Sequence, residues 1–156
     1  MLEIDIQDRQ SALLVDESRL EDAIRKVASD HGFVAGEVGI VIVDDATIHQ
    51  INRDHLQHDY PTDVISFVFT ADDGELEGEI IVSTDTAMRE SSEGGWPAQD
   101  ELLLYVIHGM LHLVGMDDVE PHLRREMRMA EAKYLAHCHL NAQQIALMAA
   151  DRDEDP

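Results

Sequence analysis

The sequence predicts an α+β fold, a small mixed β-sheet packed with helices, on three observations. Strand-like runs cluster early: "LEIDIQD" alternates apolar and polar residues, while "VGIVIV" and "DVISFVF" are rich in β-branched and aromatic residues. Helical spacing dominates later, above all in "PAQDELLLYVIHGMLHLVG". No internal repeat or low-complexity tract interrupts this order, which suits a sheet covered by helices.

Taken in order, Leu2–Asp8 reads as a strand, and "DESRLEDAIRKVASDHG" as a helix with a capping residue, one apolar face (Leu20, Ile24, Val27) and a terminal glycine. Gly36–Asp45 is a β-rich run ending in acidic turn residues, and Ala46–Leu56 has the apolar period of a short helix. Tyr60-Pro61 leads into a second strong strand after Gly36–Asp45, Thr62–Phe69, because proline restricts the residue before it. "ADDGELEG" is expected to turn the chain before a further β-rich run, Glu79–Asp85. "TAMRESSEGG" begins as a helix and stops at its glycine pair. The longest apolar helix runs from Pro97 to Gly115, and a last helical region starts near Pro121, where proline suits a first turn. Residues 1–150 are expected to form one domain, with Asp151–Pro156 a solvated acidic tail.

With 156 residues, 44% hydrophobic and only 4% aromatic, aliphatic packing must supply the core. A single cysteine, Cys138, excludes an internal disulfide, and "MLEIDIQDRQ" carries no charged-then-apolar leader, so a reducing cytoplasm is the expected location. No apolar stretch approaches the roughly 20 residues of a bilayer span. Eleven Lys plus Arg against 33 Asp plus Glu leave a formal net charge of -22, a field that opposes nonspecific nucleic-acid binding. The best local basic patch is Arg124, Arg125 and Arg128, with Lys133 further along.

The chemistry concentrates in "HGMLHLVGMDD", His108 to Asp118. His108 and His112, four apart on a helix, point the same way and can reach one ion. Gly115 can take the left-handed conformation that ends the helix and returns the chain, bringing Asp118 within range as a third ligand. Two imidazoles and one carboxylate suit a zinc ion, and three protein ligands leave a position for water, as in catalytic sites. The spacing resembles the extended zinc motif of metzincin peptidases, hence a metzincin-like metal helix. Those enzymes carry a glutamate after the first histidine as general base, where this chain has Gly109. Glu101 or Asp117 would have to substitute, which weakens the peptidase reading.

Three ordered blocks carry a more specific resemblance. "HGMLHLVGMDD" is similar to the H-G-x-L-H-L-x-G-Y-D-H signature of the YbeY family of bacterial rRNA maturation endoribonucleases; "INRDHLQHDYPTDVISFVF" and "LEGEIIVS" match two further blocks of that family, over roughly residues 36 to 135. The resemblance implies a small α+β fold, a zinc ion on three histidines, and single-strand-specific RNA hydrolysis in 16S rRNA 3′-end maturation and ribosome quality control. It also implies rRNA and the small ribosomal subunit as partners.

The chain departs from the family pattern at named positions. Asp118 stands where the family has its third histidine, leaving His108 and His112, with His122 a competing third ligand. Leu56 stands where the family has an arginine for RNA phosphate, and His58 where a lysine follows. Arg53, one helical turn before Leu56, and His58 are therefore the catalytic residues expected to face phosphate. Loss of that arginine keeps open a non-catalytic, metal-binding ribosome assembly factor, alongside the less favoured zinc peptidase. Other residues have plainer readings. Thr62, Asp63 and Ser66 line a groove or serve local turns, His137-Cys138-His139 cannot easily converge on one ion, and Met110, Met127 and Met129 are core fillers.

Overall fold

A computed structural model describes residues 1–56 and 62–153. The chain runs β1 (Glu3–Asp8), α1 (Glu17–Asp30), β2 (Ala35–Val43), α2 (Asp45–Leu56), β3 (Val64–Asp72), β4 (Glu75–Ser83), α3 (Thr84–Gly94), α4 (Ala98–Leu113), α5 (Pro121–His137) and α6 (Ala142–Asp153). The four strands form one mixed sheet in the order β1-β2-β4-β3, with β1, β2 and β4 parallel and β3 antiparallel to β4. This is the α+β architecture that the early strands and late helices predict.

Alternation along the strands divides the core. Val38, Ile40, Ile42, Ile80 and Val82 face one side and pack with α1, α3, α4 and α5. Val41, Val43, Ile65 and Ile81 face the other, where Ile48 and Ile51 of α2 cover them. Because both faces of β2 and β4 are covered, their near-continuous apolar runs are what a buried parallel pair requires.

Local chemistry explains most of the boundaries. Asp16 caps α1 by accepting from the Arg19 N–H at 3.2 Å, and Ser83 caps α3 by accepting from Thr86 N–H at 3.3 Å. Gly95 ends α3 in the left-handed region, φ 90°. Two expectations need correction. The "ADDGELEG" segment is mostly strand: only Asp73 and Gly74, φ 50° and 78°, lie between β3 and β4, and two positive φ values suit a two-residue hairpin turn. The last helical region is two helices, because His139, φ 74°, interrupts it between α5 and α6. Met110 and Met127 are fully buried as expected, but Met129 is 73% exposed and fills no core position.

Candidate metal centre

Helix α4 is apolar on nearly every side, and Leu102 through Ile107 are buried without interruption, so it occupies the middle of the fold rather than its surface. Its approach to the sheet is set by Gly109. A Cβ there would meet Ile80 Cγ2 at 2.7 Å, Ser66 Oγ at 3.1 Å and Val64 Cγ2 at 3.2 Å. Ser66 Oγ donates to the Gly109 carbonyl at 3.2 Å, which pins the helix to β3. Position 109 therefore faces the packed sheet and has no space for a glutamate; the glycine there serves close packing of α4 on β3 and β4.

At the far end, Gly115 adopts φ 104°, with Gly115 N–H donating to His112 O at 3.0 Å and Met116 N–H to Leu111 O at 2.9 Å. This pair of bonds is a Schellman termination. It also presents the Met116 carbonyl to His112 Nδ1 at 3.0 Å. The following turn is fastened by Asp117, whose Oδ1 accepts from the backbone N–H groups of Asp118 and Val119 at 2.7 and 3.1 Å. Asp117 is thus engaged in shaping the loop, and Glu101 accepts from Trp96 Nε1 at 2.5 Å, two helical turns from His108.

The loop brings Asp118 back over the histidines. Asp118 Oδ2 lies 3.5 Å from His108 Nε2, Asp118 Oδ1 lies 3.6 Å from His112 Nε2, and the two Nε2 atoms are 3.0 Å apart. His108 Nδ1 lies 2.6 Å from Glu131 Oε2 and His112 Nδ1 lies 3.0 Å from the Met116 carbonyl; each contact calls for an N–H on Nδ1, the tautomer that leaves Nε2 as an acceptor. Two lone pairs and a carboxylate then converge, an arrangement that favours a cation at its centre. A tetrahedral ion with donors at about 2.0–2.1 Å holds them about 3.3–3.4 Å apart, close to the spacing seen here. Burial and the neighbouring His108 push the His112 pKa below its usual value, with Asp118 opposing them, so protons compete less well for this ring.

His108, His112 and Asp118 are the metal-capable group among the described residues. His122 stands apart from it, 58% exposed on α5 with Nδ1 3.5 Å from Glu120 Oε2. The His137-Cys138-His139 run straddles the end of α5 and contributes to no such group among the described residues. Arg53 lies exposed near the end of α2, its Nε 3.7 Å from Asp54 Oδ1, on the helix that covers the opposite sheet face from α4. His58 lies outside the described residues. Arg128, expected in a surface basic patch, is instead turned inward: its side chain is 15% exposed and its Nη1 donates to both oxygens of Glu131 at 2.9 and 2.8 Å. Sequence reasoning missed Glu131, whose only early sign was an acidic residue on the apolar side of α5, four residues after Met127.

Comparison with known proteins gives this geometry its family. The family described as "Endoribonuclease YbeY" matches residues 5–139. The chain is 50% identical over 116 residues to a protein of that name from Rhodopirellula baltica, covering 73% of this chain and 60% of that protein. It is 38% identical over 137 residues to the one from Syntrophotalea carbinolica, covering 83% and 89%, and 40% identical over 121 residues to the one from Chlorobaculum parvum, covering 78% and 85%. In fold it is similar to the solution structure of TM1509 from Thermotoga maritima, with a TM-score of 0.60 at 24% identity, covering 100% of this chain and 97% of that one. The convergent His108, His112 and Asp118 thus sit in a chain that belongs to the YbeY endoribonuclease family.

Proposed function

We propose that this chain is a zinc-dependent, single-strand-specific endoribonuclease acting in 16S rRNA 3′-end maturation and ribosome quality control, with one zinc ion on His108, His112 and Asp118. The observation that carries the reading is the convergence of three acceptor groups within 3.0 to 3.6 Å in a chain of this family. When bound, zinc supplies Lewis acidity toward a phosphodiester oxygen or an attacking water. The protein's part is to hold the ligand atoms and to offset phosphate charge, a role we give to Arg53 and His58. Its partners are rRNA and the small ribosomal subunit, and its location is the cytoplasm; no helix among the described residues is long and apolar enough to cross a membrane. We take residues 1–150 as one hydrolase domain followed by an acidic tail.

A second reading, a non-catalytic metal-binding assembly factor, is favoured by Leu56, which replaces the arginine of the family pattern. The peptidase reading is disfavoured by Gly109, which offers no proton acceptor. Elemental analysis of the purified protein, Asp118→Ala and His122→Ala, followed by single-stranded rRNA cleavage with and without chelator, separates them. We expect near-stoichiometric zinc that is lost with Asp118 and kept with His122→Ala, and cleavage that chelator abolishes and Arg53→Ala slows. Retained zinc with intact ribosome binding and no cleavage supports the assembly factor.

A further inference from the structure

Behind the metal-capable group lies a buried chain of charge that the ligand set does not use. Glu131, on α5, is 3% exposed, and a carboxylate at that depth is costly unless its oxygens are matched. Both are matched by Arg128, one turn earlier, at 2.9 and 2.8 Å, and Oε2 in addition meets His108 Nδ1 at 2.6 Å. His108 is itself only 6% exposed and sits on a different helix, 23 residues away in sequence. The contact therefore spans α4 and α5, and it meets the ring on the side opposite the atom that faces His112 and Asp118.

The geometry points to Glu131 as the positioning residue of the metal centre, with Arg128 holding Glu131 in place. By accepting from Nδ1–H, Glu131 selects the His108 tautomer whose Nε2 is free to coordinate, fixes the ring plane, and makes that nitrogen a stronger donor. The ring planes of His108 and His112 cross at 82°, so the two Nε2 atoms meet only while each ring keeps its rotation. His112 obtains that restraint from a backbone carbonyl supplied by its own helix terminus, whereas His108 obtains it from another helix. Arg128 balances the carboxylate, so the site gains an orienting acceptor without a further net negative charge beside Asp118.

The inference rests on the proposed metal centre, and its test is arranged to separate the two. Zinc affinity is measured by competition with a chromophoric chelator for the full chain and for Glu131→Gln, Glu131→Met and Arg128→Gln. Thermal midpoints and histidine 15N spectra are recorded on the metal-free proteins at pH 8. Glu131→Gln keeps an acceptor but removes the charge, and should weaken zinc severalfold while His108 remains Nδ1-protonated. Glu131→Met removes both, and should weaken zinc by about 10- to 100-fold with the His108 tautomer mixed. Arg128→Gln should fall between wild type and Glu131→Met. A purely structural ion pair would lower the midpoint while leaving the tautomer and the affinity of the folded protein within twofold of wild type, and that result overturns the inference. Should Glu131→Met not fold, the same criterion applied to Glu131→Gln and Arg128→Gln decides. If the wild type binds no zinc, the metal centre fails as a reading, while the tautomer spectra still decide whether Glu131 orients His108.

Discussion

A Cβ at position 109 would lie 2.7 Å from Ile80 Cγ2, so Gly109 is the point at which α4 rests directly on the sheet. Gly109→Ala should gain helix propensity but overpack this contact, for a net loss of about 1–2 kcal/mol. At about 2–4 °C per kcal/mol for a chain of this size, the midpoint should fall by about 2–8 °C in a calorimetric scan. Gly109→Glu should not yield folded protein at all. An unchanged midpoint for Gly109→Ala would mean that α4 is free to move away from β3.

Metal removal should be visible without any activity assay. Because His108, His112 and Asp118 converge only in the folded chain, zinc at 100 times its Kd should stabilise by about 2.7 kcal/mol. That corresponds to a rise of about 5–11 °C in the melting midpoint, reversed by chelator. Asp118→Ala should lose most of the rise.

The metal-free protein should also be acid-sensitive through His112, whose pKa is lowered by burial and by His108. The unfolded chain takes up that proton more readily, so stability is fully present above the ordinary value of 6.5 and is lost as pH falls through the lower native one. Denaturant midpoints of the chelated protein from pH 8 to 5 test this, and the decline should be steeper with zinc present, because protons taken up by the ligands release the ion.

Asp45 ties α2 to the start of α3. It accepts from Ser83 Oγ at 2.6 Å, Thr86 Oγ1 at 2.7 Å and Arg89 Nη1 at 3.1 Å. Burial raises its pKa, but these bonds outweigh burial and hold it below the ordinary 3.8. Asp45→Ala strands two buried hydroxyls and should cost about 1–3 kcal/mol in urea unfolding. The sign with pH is opposite to that of a raised group: this contribution is present above 3.8 and disappears as pH falls through the native value, so wild type and Asp45→Ala should converge in strong acid.

The hairpin turn gives a local test. Gly74, φ 78°, also accepts from Val34 and Ala35 N–H at 2.9 and 3.2 Å, tying the turn to the entry of β2. Gly74→Ala should cost about 1–2 kcal/mol, because a side chain is strained in the left-handed region. Loss of early amide protection in β3, before the rest of the sheet, would mark where that strain is felt.

By itself the sequence determined what short-range chemistry controls. Apolar period distinguished the strand of Gly36–Asp45 from the helix of Pro97–Gly115, the glycine at 115 ended that helix, and the four-residue spacing aligned His108 with His112. Tertiary structure alone decided the rest. Asp73-Gly74 could be narrowed to a two-residue turn only once β3 had β4 to pair with. Gly109 acquired its reason from Ile80, which lies on another element. Asp118 rather than His122 closed the metal-capable group because the loop fastened by Asp117 folds back over α4, while the side chain of His122, in the first turn of α5, is exposed to solvent. Arg128 reads as part of a surface basic patch, and Glu131 gives no signal of its role, until α5 packs on α4, because the cost of burying them, and the histidine that makes the burial useful, exist only where two distant segments meet.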